Sequence, residues 1–412
     1  MATRKILGAA LAAFAFAAPA CASAQVRIAY IDPLSGAMGA TGEHGLRELE
    51  FAVEAINAKG GVLGQKMAVV PMDNKLSSQE SLNLLKSAID QGIRYVSQGN
   101  GSAVAGALID AINKHNERNP DQAVVYLNYA AVDPDFTNDK CSFWHFRFDA
   151  NTDMKMAALT DYLKDQKKVS KVYLLNQDYS HGHQVSKVAK AMLAEKRPDV
   201  KVVGDELHPL ARVKDFAPYI AKIQASGADT VITGNWGTDL SLLVKAAKDA
   251  NLKADFYTYY GGTVGVPPAM GEAGIDRVKV VSYWSANSMN AAGQTVQDAY
   301  RKKYGADQDP YSQSIRISAE FLVRAMEKAK STNPVAVAKA MEGMKVDGPF
   351  GEITMRAEDH QLIQPMFIAT FVKSGGPLKY SADGTKEYAF RADARVEAAA
   401  AARPTTCKMK RP

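Results

Sequence analysis

The stretch VRIAYIDPLSGAMGATGEHGLRELEFAVEAINAKGGVLGQKMAVVPMD, residues 26–73, decides the fold. Its first six residues are apolar apart from Arg27 and rich in β-branched and aromatic side chains, the pattern of a buried strand. The glycine-rich turn Ser35-Gly36-Ala37-Met38-Gly39 follows, then an amphipathic helix that ends in Ile56-Asn57-Ala58-Lys59-Gly60-Gly61. A second strand over residues 66–72 stops at Asp73. Strand, glycine loop, helix, strand is the unit from which parallel sheets are wound.

Upstream of this stretch, Arg4 and Lys5 precede an apolar run over residues 6–18, and Ala22-Ser23-Ala24 supplies a small-x-small cleavage pattern. The reading is a signal peptide, residues 1–24, cleaved after Ala24, with export of the mature chain. The run is shorter than the about 20 residues of a membrane helix and is closed by Pro19. Cys21 raises a lipoprotein alternative, to which Ala18-Pro19-Ala20 is a poor match. Removing the leader takes two of the 50 basic residues and none of the 44 acidic ones, leaving a net charge of +4. Lys and Arg are spread along the chain rather than gathered into a patch with interleaved aromatics, so no nucleic-acid partner is expected. Cys141 and Cys407 remain after cleavage, and in an oxidising compartment they are expected to form one disulfide.

The rest of the chain repeats the opening grammar. A capping box at Ser77 and Glu80 opens a helix carrying Leu82, Leu85 and Ile89. A strand at 95–97 leads through Gln98-Gly99-Asn100-Gly101-Ser102 into another helix, and a strand at 123–127 closes the run. From Asn151 the same units restart, with strands at 171–176, 201–207, 229–233, 255–257 and 278–283. The expected fold is α/β: two doubly wound lobes joined by a multi-strand hinge. Lobe 1 takes residues 25–147 and 285–350, lobe 2 takes 148–284 and 351–412, and the chain crosses near Arg147, Trp284 and Gly351.

The candidate chemistry is narrow. Gly36, Gly39, Gly42 and Gly45 recur every third residue, which is neither a dinucleotide fingerprint nor a P-loop; they are read as glycines of a tight turn and close backbone approach. No nucleophile elbow is present, and both mature cysteines are read as structural, so no enzyme is expected. His181-Gly182-His183 is read as a solvent-facing loop rather than a metal site, and no cofactor is expected. His44, His145 and His208 are isolated. What remains lies at strand ends, where ligands sit in open α/β sheets. Gly101 and Ser102 open a helix whose amides favour a carboxylate. Tyr179, Trp236 and the group Tyr257, Tyr259 and Tyr260 follow strands of the second lobe and read as aromatic walls.

These residues resemble a known family. Pro33-Leu34-Ser35-Gly36, the segment Ile56-Asn57-Ala58-Lys59-Gly60-Gly61-Val62-Leu63-Gly64 with Asp73 beyond it, Gly101-Ser102, and Ala130-Ala131 ahead of Pro134 are similar to type I periplasmic solute-binding proteins of branched-chain amino-acid ABC importers. The resemblance covers nearly all of the mature chain. It implies a monomeric carrier that closes on a small carboxylate and delivers it to an inner-membrane ABC permease. A ligand-sensing subunit on the same fold is the alternative. It also implies that Gly101, Ser102, Ala130 and Ala131 hold the ligand carboxylate, that Tyr179 and Trp236 close over it, and that Thr41 borders the cleft. Two positions depart from the family: Tyr260 stands where an acidic residue holds the ligand ammonium, and Val132 where a threonine does. Asp178, Asp239 or Glu272 could compensate, ring faces could hold the cation, or the ligand could be an aromatic acid without an ammonium.

Overall fold

A computed structural model describes residues 25–310 and 313–412; the leader lies outside them. The first sheet is wholly parallel, with β1 (Val26–Asp32), β2 (Met67–Asp73), β3 (Tyr95–Gln98), β4 (Val125–Asn128) and β5 (His145–Arg147) in the order β2-β1-β3-β4-β5. The second repeats that order with β6 (Lys171–Gln177), β7 (Lys201–His208), β8 (Thr230–Thr233), β9 (Asp255–Thr258) and β10 (Val278–Ser282), read β7-β6-β8-β9-β10. A small antiparallel sheet holds β11 (Lys345–Gly348), β12 (Gly351–Met355) and β13 (Leu362–Ile363). The antiparallel strands β14 (Met366–Lys373) and β15 (Tyr388–Val396) then extend the second sheet beyond β10. Both lobes are therefore doubly wound, and each has a switch point beside its first strand where a ligand crevice opens.

The opening stretch folds as its pattern dictates. β1 is buried almost throughout and leads into α1 (Gly39–Ala58). A Cβ on Gly42 would lie 1.8 Å from the Pro33 carbonyl oxygen, so glycine lets α1 start directly against the end of β1. The second lobe uses the same device: a Cβ on Gly182 would lie 1.8 Å from the Gln177 carbonyl oxygen. Asp73 pins the turn by accepting from the Leu34 amide at 2.9 Å and the Ser35 hydroxyl at 2.5 Å. Asn57 pairs with both the amide and the carbonyl of Met67 at 2.8 Å, fixing the helix end to β2.

The remaining helices of these units are α2 (Ser78–Asp90), α3 (Ser102–Arg118), α4 (Thr152–Leu163), α5 (Ser180–Lys196), α6 (Ala217–Ser226) and α7 (Gly237–Asp249). Helices Ala291–Tyr304 and Gln313–Ala329 return to the first lobe, where Tyr300 packs edge-on against Phe51 and Phe321 against Phe148.

The later crossings differ from the sequence reading. Ile353, Met355 and Leu362 join the first-lobe core and Met366 joins the second, so the chain crosses after Ile363 rather than near Gly351. It crosses again after β15: Met409 packs on the first lobe and Cys407 is bonded to Cys141, as the cysteine count led one to expect, across 266 residues. The tail thus belongs to the first lobe, because its disulfide partner and its apolar contact are both there. At the hinge the crossings brace each other. Arg147, fully buried, donates through Nε to Gln361 Oε1 at 2.7 Å, and the Gln361 and Gln364 amides donate to the carbonyls of Asp149 and Phe148.

Candidate functional site

The carboxyl ends of both sheets face one cleft of about 550 Å³, partly open to solvent. Thr41, Gly101, Ser102, Ala130, Ala131 and Val132 line it from the first lobe, and Tyr179, Trp236 and Tyr260 from the second. Every wall residue named from the resemblance is brought together there. Tyr257 and Tyr259 are not part of the lining. Tyr257 belongs to β9 and packs near Tyr162 in the second-lobe core, while Tyr259 lies over a buried lysine.

The sequence reading gives no cleft role to several lining residues: Asn100, Tyr129, Asp149, His181, Thr263 and Tyr283. Behind them Asp32, fully buried, accepts from the Gly99 amide at 3.1 Å, the Asn100 amide at 2.9 Å and the Tyr129 hydroxyl at 2.8 Å. Burial raises the Asp32 carboxyl to about 7 against the lowering effect of these bonds. Asp32 therefore holds the β3–α3 loop in place from beneath. It closes a strand that reads as a plain hydrophobic run, so only its position at the strand end could have flagged it.

Helix ends supply the cleft's electrostatics. The caps of α3, α5 and α7 are Gly101, Tyr179 and Trp236, and none makes a side-chain capping bond. First-turn amides and positive dipole ends from both lobes are thus turned toward the cleft, an arrangement that favours an anion. In the β4–α4 region the polarity reverses. The Ala130 and Ala131 amides are spent on Asn128 Oδ1, while among the described residues the Ala130 carbonyl accepts no hydrogen bond.

The second-lobe wall is internally bonded. Trp236 Nε1 donates to the Tyr179 hydroxyl at 2.7 Å, and burial raises the Tyr179 phenol far above its ordinary value. His181, read from sequence as solvent-facing, is 1% exposed inside α5, because that helix begins at Ser180. Burial lowers its pKa to about 3, so the ring is neutral, with Nε2 3.2 Å from the Gly234 carbonyl and Nδ1 3.1 Å from the Thr152 hydroxyl. His183 is exposed and pairs with Asp178.

The proposed substitutes for the missing acid lie elsewhere. Asp178 is spent on His183, Asp239 accepts from Gln177 Nε2 at 2.8 Å and the Ala211 amide at 2.9 Å, and Glu272 is 79% exposed beside Lys373. The lobes meet at the mouth of the cleft. Thr238 donates to the Ala37 carbonyl, Gln184 Nε2 donates to Asp135 Oδ1 at 3.4 Å, and Met38 of the first lobe is buried within the second-lobe core.

Comparison with known proteins agrees with this geometry. A family model described as periplasmic binding protein matches residues 25–377. A Leu/Ile/Val-binding protein homolog 4 of Brucella abortus is 33% identical over 416 residues, covering 98% of each chain. A leucine-, isoleucine-, valine-, threonine- and alanine-binding protein of Brucella ovis, solved in a closed conformation, superposes with a TM-score of 0.84 at 31% identity, covering 95% of this chain and all of that one. A Rhodopseudomonas palustris solute-binding protein in complex with benzoate shares the fold at a TM-score of 0.77 and 19% identity, over 93% of this chain and 100% of its own.

Proposed function

The chain belongs to the type I periplasmic binding proteins of the branched-chain amino-acid family, and from that premise we propose that it is the exported solute-binding component of an ABC importer. Its two lobes close on a small carboxylate, which it delivers to a membrane permease. Members of the family are transport binding proteins, not enzymes. The observation that carries the reading is the convergence of the uncapped ends of α3, α5 and α7 on one cleft at the switch points of both sheets. Ser102 and the open first turn of α3 receive the carboxylate, and Trp236, Tyr179 and Tyr260 cover the rest of the molecule. The Brucella ovis relative supports aliphatic amino acids as the first class to try, and the benzoate-bound neighbour supplies aromatic acids as the contrast.

The test is a thermal-shift panel of branched-chain amino acids and benzoate-type acids on the mature chain, with solution scattering on each hit. A ligand of either class should raise the melting temperature by mass action and compact the molecule. Failure of every compound in both classes would remove the support for a solute carrier.

A further inference from the structure

We infer that Asp149 is the ammonium acceptor of this cleft and that its ligand is a zwitterionic amino acid; the inference rests on the solute-binding reading above. Asp149 lies just beyond β5, in the first hinge crossing, and is the one charged side chain among the described residues that line the cleft. It is 2% exposed, and its two oxygens are used unequally. Oδ2 is 2.8 Å from the Lys155 ammonium, while Oδ1, equally buried, has no hydrogen-bond partner of good geometry among the described residues, the adjacent Ala150 amide being the one other donor that supports the carboxylate. A buried carboxylate oxygen short of donors is costly, and in a residue that lines a ligand cleft the missing donor is one a ligand can bring.

The surroundings leave an ammonium no better place. Tyr260 replaces the family's acid, and its ring face is already occupied, since Lys155 Nζ lies 4.7 Å from its centroid and 5.6 Å from that of Tyr259. A ligand cation on that face would meet the chain's own ammonium with no anion to offset it, whereas on Asp149 the carboxylate charge offsets the repulsion between the two ammonium groups. In effect the carboxylate has moved from the second lobe to the hinge, and a buried lysine orients it. Asp149 can bridge two ammonium groups, one on each oxygen. The ligand's own carboxylate, at the α3 end, keeps the whole assembly neutral. The unspent carbonyl of Ala130 is a second acceptor on the same wall.

A simple organic acid fits less well. No Lys or Arg is among the described residues that line the cleft, so an anion without an ammonium would face Asp149 and bring Oδ1 no donor. Burial raises the Asp149 carboxyl above its ordinary range against the lowering effect of Lys155, and a second ammonium would favour the ionised form.

The test is titration calorimetry on the mature chain with L-leucine, with 4-methylpentanoate, which is leucine without its amine, and with benzoate. A lost charge-assisted bond corresponds to roughly 10- to 150-fold in affinity. L-leucine should bind wild type at least about tenfold more tightly than 4-methylpentanoate. In Asp149→Asn the ratio of the two affinities should fall toward one. Because that variant strands Lys155, Asp149→Asn/Lys155→Met is measured beside it, with circular dichroism to verify the fold, and should show the same collapse. Equal binding of leucine and 4-methylpentanoate by wild type, a preference for benzoate, or an unchanged ratio in the folded double variant would overturn the assignment while leaving the carrier reading in place. Binding of none of the three, nor of any other acid in the panel, removes the carrier reading and this inference together.

Discussion

The indole Nε1 of Trp236 donates to the Tyr179 hydroxyl at 2.7 Å, joining the ends of β8 and β6 into one wall of the cleft. Each residue also starts a helix, so the pair sets both the aromatic surface and the position of two helix ends.

Tyr179→Phe removes the acceptor and leaves a buried indole N–H without a partner, which costs about 1–3 kcal/mol. Ligand affinity measured by calorimetry with L-leucine should fall by roughly tenfold. Trp236→Ala should lower it further and also lower the melting temperature, because Trp236 is only 6% exposed and packs with the second-lobe core. Full affinity in both variants would place the ligand away from this wall.

Stability should depend on pH through the buried carboxyls. Burial raises those of Asp32 and Asp309 to about 7. Both folded values lie above the unfolded range, so the native state holds protons that the unfolded chain has released. Their contribution is complete below about pH 4 and is lost as pH rises through about 7. Urea midpoints should decline between about pH 5 and pH 8, and Asp32→Asn should make that decline shallower. An identical slope in the variant would show that Asp32 does not carry it.

The disulfide should matter to the tail more than to the cleft. On either side of Cys407, the tail is held to the first lobe by Thr405 Oγ1 donating to the Thr137 carbonyl at 2.6 Å and by Arg411 Nε donating to Glu342 at 2.8 Å. Reduction, or Cys407→Ser, should lower stability by up to about 5 kcal/mol in the chain-entropy view. It should also open residues 403–412 to limited proteolysis. A melting temperature unmoved by dithiothreitol would contradict this.

Much of this architecture is legible because βα units announce themselves locally. β1, α1 and β2 follow directly from an apolar strand, an amphipathic period and a glycine turn. β15 is not legible, since Arg391, Asp393 and Arg395 make an appended strand look like a solvated segment. The crossings after Ile363 and β15 depend on which core Leu362 and Met409 enter, a tertiary fact without a local sign. In the site, residues at strand ends are visible through the switch-point rule. His181 is hidden because Tyr179, which starts its helix, makes no side-chain capping bond and so gives no helix-start signal. Asp149 and Lys155 are hidden for another reason: a hinge dipeptide and a lysine in an apolar helix acquire meaning only when folding brings them to 2.8 Å.

The most direct test of the central claim is hydrogen exchange on the mature chain with and without saturating L-leucine. The account predicts slower exchange at once in peptides covering the open first turn of α3 around Ser102 and in those covering Tyr179 to His181 and Trp236 to Thr238, because one ligand touches both lobes. Protection confined to one lobe, or absent from the α3 turn, would contradict it.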